Sequence, residues 1–477
     1  MSCNSGTCQS SCYKDEYSVT DQPPATANYE RSNDASLRGG DSNGQNLCIK
    51  CKVNETMAAT HSAAAAAGGD IGRFCADCFR NNLFGKFRFA VTSNAMITPS
   101  DKVLVAFSGG SSSRVALQFV HEMQQKAQKN FDASRDRSLP VFGVGVAYIN
   151  ESIIFPAASN DLNQAVNDME LIVSSLAPPE KQFFVVPTQN IYSPDCAVGK
   201  NQLTELVAAV SDATGKEDLL EHLRMLSLQK IASENGYTKI VLGTCTSRIA
   251  SHVLEATVKG QGFSLAADIQ YVDARWETPV VLPLRDCLSE ELNTLCSLDS
   301  LKTIEVLQQP RSGINGLISS FVQLLQKDNP SRESTILRTA GKLTPFHFNR
   351  IPEDGHDNGH SASQRRQRKY NLKPNESLPP KSFCFICNSP LKKSSNTSLD
   401  GFENGGTSAG LYTAACSSCQ YQILPKDPSS LEYFYSLLPK SMADLENDSR
   451  NNHNISVLLD LAQKMQWPAA GSRIKGD

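Results

Sequence analysis

The apolar run Lys102–Phe107 (KVLVAF) breaks directly into Ser108-Gly109-Gly110-Ser111-Ser112-Ser113, and this junction constrains the fold more than any other stretch. A short, continuously apolar segment is what a parallel strand covered on both faces requires. Two glycines then let the backbone turn sharply and come close to a ligand. Val115, Leu117, Phe119 and Val120 follow in a helix-compatible stretch. A strand–turn–helix unit of this kind directs backbone amides and a helix N-terminus at an anion. The spacing therefore predicts a phosphate-loop-like turn, with Ser108, Gly109, Gly110, Ser111 and Ser113 as candidate nucleotide-binding residues. Ser112 adds a further hydroxyl. A lone Ser-Gly-Gly is a weak signal, since most Gly-Gly turns are structural; its place at a strand end raises it. No Gly-Lys-Ser/Thr follows, so this is not a Walker loop.

Three more apolar runs repeat the pattern: Val141–Ile149, Phe183–Val186 and Lys239–Leu242. Amphipathic segments separate them, for example Leu219–Ala232. The alternation over residues 100–260 predicts a doubly wound, mostly parallel sheet with right-handed crossovers. Helical patterns follow near 286–297 and 313–327. Residues 1–43, rich in Ser, Asn, Gly and Asp, read as a disordered arm. Residues 44–90 read as one cysteine module, 98–327 as the α/β domain, 328–382 as a linker or insertion, 383–425 as a second module and 426–477 as a helical tail. Within that tail, Ile455, Leu458, Leu459, Leu461 and Ala462 suit a docking helix.

Eight of the fifteen cysteines fall into four C-x-x-C pairs. Cys48–Cys51 and Cys75–Cys78 make one set; Cys384–Cys387 and Cys416–Cys419 make the other. Two intervening residues let both thiolates of a knuckle face one ion, and two knuckles complete a tetrahedron. The residue pattern thus predicts two structural Zn²⁺ sites, with pairing across the modules and an iron–sulfur cluster left open. A redox role is disfavoured because no pair is expected to open a helix after a strand in a thioredoxin-like unit. The chain lacks the apolar core of a secretion signal, and Asp15 and Glu16 argue against a transit peptide. Metal-binding cysteines in such a chain point to the cytosol. No stretch of bilayer-spanning length is free of charges, so no membrane partner is expected. A net charge of −3 predicts no bulk attraction to nucleic acid, leaving local patches such as Arg365-Arg366-Gln367-Arg368-Lys369.

At Ser108–Ser113 the sequence resembles the PP-loop ATP pyrophosphatases, whose loop reads S-G-G-x-D-S. Ser108, Gly109, Gly110 and Ser113 match, while Ser112 replaces the acid. Two flanking C-x-x-C modules resemble the tRNA 2-thiolation branch, and over most of residues 44–425 the chain is similar to the cytoplasmic tRNA 2-thiolation protein 2 family. The resemblance implies an α/β fold of PP-loop (adenine nucleotide alpha hydrolase-like) type, flanked by two four-cysteine zinc modules. Active members carry G-H-x-x-D-D after the fourth strand; here Gly243-Thr244-Cys245-Thr246-Ser247-Arg248 has lost both acids. Their sulfur-carrying cysteine pair has no counterpart in Ser211–Gln229, and their second catalytic cysteine has none near Glu305–Leu307.

The resemblance therefore implies a subunit without catalytic residues of its own. Its partner is a catalytic thiolation protein 1-type subunit that adenylates the wobble uridine of tRNA. Sulfur comes from a thiocarboxylated ubiquitin-related modifier. ATP binding by the chain itself stays open. Two alternatives stand beside it: an ATP-dependent adenylating sulfurtransferase with a variant site, and a zinc-stabilised RNA-binding adaptor. For the adaptor, Phe74, Phe79, Phe383 and Phe385 are candidates to stack on bases. Cys245, His222 and His252 read as packing or surface residues. Asp268 and Asp273 are candidate metal ligands, although paired acids in a loop read first as solvated.

Overall fold

The computed structural model describes residues 47–60, 72–134, 140–155, 159–192, 196–304, 311–343, 383–391 and 414–444. The arm 1–43, the basic cluster 365–369 and the apolar set at 455–462 lie outside the described residues.

Five parallel strands form the centre: β3 (Lys102–Ala106), β4 (Gly143–Asn150), β5 (Gln182–Pro187), β6 (Lys239–Val241) and β8 (Val280–Val281). The short β7 (Val272–Asp273) adds an antiparallel edge, giving the order β5-β4-β3-β6-β8-β7. In β3, Val103, Leu104 and Val105 are fully buried, as a strand covered on both faces demands. Side chains alternate across the sheet. Val103 and Val105 pack with α1 (Ala76–Ser93), α2 (Ser111–Ala133) and α8 (Ser289–Leu298). Leu104 faces α5 (Ala213–Glu234), α6 (Thr246–Val258) and α10 (Ser331–Ala340). The helix after β3 thus goes to one face and the helix after β6 to the other. Because β3 and β6 are neighbours, a crevice opens between their carboxyl ends, where such sheets take ligands.

The segment 328–382 does not behave as a linker throughout. Ser331–Ala340 is α10, and Leu337 and Ala340 join the core beside Ile249 and Val253. Ile336, Leu337 and Ala340 supply a narrow apolar stripe that the polar composition of the region conceals. The preceding α9 (Gly313–Asp328) packs on α6 and α10.

Neither cysteine module stands apart from the sheet domain. Phe79, Leu83 and Phe87 of α1 are fully buried, and Phe87 meets Phe119 of α2 edge-on at 5.4 Å. On the opposite side, Phe385, Ile386 and Phe434 share a core with Leu203 and Leu206 of α4 (Cys196–Ala209) and Leu219 and Leu223 of α5. Two short helices, α11 (Ser417–Gln422) and α12 (Pro428–Ser436), complete that side. Asp427 caps α12 by accepting from Ser430 N at 3.0 Å, with Pro428 in the first turn. No helix among the described residues is long and apolar enough to cross a membrane.

Candidate functional site

The eight cysteines of the C-x-x-C pairs converge as two groups, and within each group the four sulfurs lie within 4.8 Å of one another. Each group pairs the two knuckles of its own module. Cys51 and Cys75 Sγ are 3.8 Å apart, and Cys387 and Cys416 Sγ 3.6 Å. Four thiolates about 2.3 Å from one ion sit at tetrahedron edges of about 3.8 Å, so both groups fit a single tetrahedral metal ion. A multi-iron cluster would hold the sulfurs farther apart.

Both sites are built alike. In the first knuckle the amide of the fifth residue returns to the first cysteine's carbonyl: Lys52 to Cys48 and Asn388 to Cys384, each at 2.8 Å. Both Lys52 and Asn388 adopt positive φ, at 55° and 53°. In the second knuckle the first cysteine is a helix N-cap, Cys75 for α1 and Cys416 for α11. Burial raises the Cys48 thiol, but backbone hydrogen bonds around Cys51, Cys75 and Lys50 outweigh it and hold it below its ordinary value.

One sequence expectation holds here and one fails. Cys75–Cys78 opens α1 after the short β2 (Gly72–Phe74), but β2 pairs only with β1 (Ala58–Thr60) in an antiparallel ribbon, which is not a thioredoxin-like unit. Convergence with Cys48 and Cys51 still sets it apart from a two-thiol redox site. Phe74, Phe79 and Phe385 are buried in their local cores and unavailable for stacking on bases.

The turn after β3 forms as the spacing requires. Gly109 has φ +86°, and a Cβ there would meet Ile304 O at 2.7 Å, so glycine is needed. Gly243, just past β6, lies against the backbone of Ser112 and Ser113; a Cβ would come within 2.7 Å of Ser113 N. The two strand ends are thereby locked together. Ser113 Oγ is used internally, donating to Gly110 O at 2.9 Å and lying 3.2 Å from Ser108 Oγ. Gly110 is the N-cap of α2 and offers no side chain to its first amides, and α2 has no acid in its first turn. Those amides remain receptive to an anion.

Of the thiols around this crevice, Cys287 and Cys296 are poor nucleophiles. Cys245 caps α6 and is 3% exposed. Cys287, which no sequence motif marks, lies near Cys245, and burial pushes its thiol well up. Cys296 contacts Ser111 O at 3.9 Å, and burial raises it to about 11.

Where acids are absent from the loop after β6, Ser247 donates to Glu333 Oε2 at 2.5 Å and accepts from Ser289 N at 3.1 Å. Glu333 is 1% exposed, with Oε1 unpartnered, and burial raises its carboxyl above the usual range. No spacing rule could have joined residues 247 and 333.

Asp268 and Asp273 are not solvated. Arg275 binds Asp273 at 2.6 Å and also holds Asp268, which pairs with His252 Nε2 at 3.1 Å. The pairing is charge neutralisation in a crowded site, a structural use of acids that sequence alone reads as loop polarity.

Comparison with known proteins decides the family. A protein of Arabidopsis thaliana named cytoplasmic tRNA 2-thiolation protein 2 is 57% identical over 442 residues, covering 93% of both chains. This chain belongs to the cytoplasmic tRNA 2-thiolation protein 2 family. The family profile of that description matches residues 313–454. Proteins of the same name from Oryza sativa subsp. indica and Homo sapiens are 49% and 25% identical, covering 83% and 66% of this chain and 85% and 70% of their own. The family name carries the cytoplasmic placement expected from cysteine usage. Among solved structures, the U34-tRNA thiolase NcsA from Methanococcus maripaludis with its [4Fe-4S] cluster superposes loosely. The TM-score is 0.47 at 15% identity, covering 66% of this chain and 92% of that one.

Proposed function

We propose that this protein acts in 2-thiolation of the wobble uridine of cytoplasmic tRNAs as a non-catalytic subunit. Its two four-cysteine groups hold structural Zn²⁺. A catalytic thiolation protein 1-type partner adenylates the uridine, and sulfur arrives on a thiocarboxylated ubiquitin-related modifier. Membership of the thiolation family supports the process. The state of the crevice supports the non-catalytic role and is the observation that carries it. The phosphate-loop turn persists, yet Ser112, Ser247 and Arg248 stand where acids would bind a divalent cation, and Cys245, Cys287 and Cys296 are buried thiols. Thiol attack needs thiolate, which burial disfavours at Cys287 and Cys296. In the proposed complex the loop shapes the sheet's carboxyl edge, and residues 108–113 keep capacity for a phosphate without the groups that activate one.

The test is complementation. Cells lacking the protein should lose 2-thiouridine from their tRNA. Variants Cys245→Ala, Cys287→Ala and Cys296→Ala should restore it as the wild type does. Restoration that depends on any of these thiols would count against the reading.

A further inference from the structure

Helix α9 carries apolar side chains on two faces. Asn315 and Val322 mark the face buried against α5, α6 and α10. On another face Leu317, Phe321 and Leu324 recur at i, i+4 and i+7, and they are 74%, 49% and 63% exposed. No charged residue stands on α9 before Lys327. One apolar stripe needs one covering layer, and a second stripe needs a second. Single exposed leucines are ordinary; three large side chains aligned along two turns mark a contact surface.

The C-terminal cysteine group sits beside the start of this helix. Gln422, the last residue of α11, sets its carbonyl against Gly215 of α5, where a Cβ would come within 1.9 Å. The adjacent Thr214 accepts from Ile314 N at 3.1 Å, and a Cβ on Gly313 would lie 2.3 Å from its Oγ1. The end of α11 and the start of α9 thus rest on consecutive residues of α5. Gln261 reaches Ser418 of α11 at 3.0 Å, and Lys259 reaches Asn315 of α9 at 3.2 Å. The exposed Val258 and Tyr421 belong to the same junction. Met442, fully buried, shares a core with Leu424 and Phe434, and the described residues end at Asp444. Residues 445–454 span at most roughly 35 Å when extended. Packed spacings of roughly 8–10 Å between neighbouring helices bring the stripe within that reach.

We propose that the C-terminal segment 455–465 docks as an amphipathic helix on the Leu317–Phe321–Leu324 stripe of α9, so that the chain covers its own exposed face. At helical spacing Ile455, Leu458, Leu459, Ala462 and Met465 share one side, and Ser456, Asp460, Gln463 and Lys464 share the other. Pro468 ends the pattern. An uncharged stripe thus meets an uncharged face, and Asp460 and Lys464 stay in water. The short tether holds the segment near α9 at an effective concentration of about millimolar, which favours it over any untethered occupant. The docking does not rest on the thiolation reading.

The experiment replaces Phe321 by the photo-crosslinker benzoylphenylalanine in the full chain, irradiates it both purified and in cells, and maps the products by mass spectrometry. The expected product under both conditions is an intrachain link to residues 455–465. Leu458→Asp with Leu459→Asp should cut its yield about tenfold, because a carboxylate resists burial against an apolar stripe. Lys464→Asp, on the opposite side of the segment, should leave the yield unchanged, which separates docking from chance proximity. A second probe at the more exposed Leu317 repeats the measurement, so that a fold lost at one position is not read as an empty stripe. Links to a second copy, to another protein or to residues 346–351 in place of the tail would overturn the docking. So would the absence of any product from both probes, or a yield indifferent to Leu458 and Leu459.

Discussion

The two four-cysteine groups share one construction and differ in what surrounds them. In the N-terminal knuckle the residues between the cysteines, Ile49 and Lys50, face solvent, Ile49 at 52% exposure. In the C-terminal knuckle the matching pair, Phe385 and Ile386, is 2% and 3% exposed and fills the space between α4 and α5. Val53 and Met57 extend the open N-terminal surface. The C-terminal group is tied further by Gln261 to Ser418 at 3.0 Å and Asn388 to Arg275 O at 3.3 Å. One ligand plan thus serves two purposes. At one end the cysteines join the core on the α1 face of the sheet while the tip of the first knuckle stays open; at the other the tip itself is packed, in a core shared with α4 and α5. The location of the profile match, 313–454, agrees with this, since it spans α9, α10 and the C-terminal group rather than the phosphate-loop turn.

The largest expected difference is between the paired cysteine replacements. A closed site of four thiolates contributes apparent metal-binding energy of about 10–16 kcal/mol to whatever folds with it. Cys384→Ser with Cys387→Ser should abolish cooperative unfolding of the core that the C-terminal group shares with α4 and α5 and lower the main transition with it. Cys48→Ser with Cys51→Ser should free the first knuckle and β1 and leave the main thermal transition in place. Equal loss of that transition in both would break the distinction. Next in size, Phe385→Ala should cost about 3–5 kcal/mol in denaturant unfolding, the range for emptying a buried aromatic site.

Glu333 offers a smaller, pH-dependent handle on the C-terminal half. Burial raises its folded carboxyl above the unfolded value; Ser247 opposes this weakly and Glu290 adds to it. Its contribution is therefore fully present below the unfolded value and is lost as pH rises through the folded one. Glu333→Gln keeps an acceptor for Ser247 and should remove that slope, measured as Tm across acid to neutral pH. A slope unchanged in the variant would place the titration elsewhere. Smallest of all, Ile49→Ala should stay within about 0.5 kcal/mol of the wild type, as exposed positions do.

The two four-cysteine groups and the strand–turn–helix unit were legible in the sequence because each follows local rules. Two-residue spacing brings thiolates together, and an apolar run ending in Gly-Gly turns at a sheet edge. Burial of the knuckles was not legible. Ile49 and Ile386 are the same residue type within the same motif, and only the packing of α4 and α5 against one of them separates their fates. The helix at 331–340 hid behind polar composition for the same reason: its burial depends on α6, not on its own hydropathy. The crevice partners of Ser247 join residues from distant segments, and no local pattern announces such pairs.

The central claim is that this chain takes part in tRNA 2-thiolation without performing the chemistry. The direct measurement is formation of 2-thiouridine on tRNA with ATP and a thiocarboxylated donor, using the purified chain alone and the chain with its catalytic partner. The account predicts product only when the partner is present. Thiolation by the chain alone would contradict it.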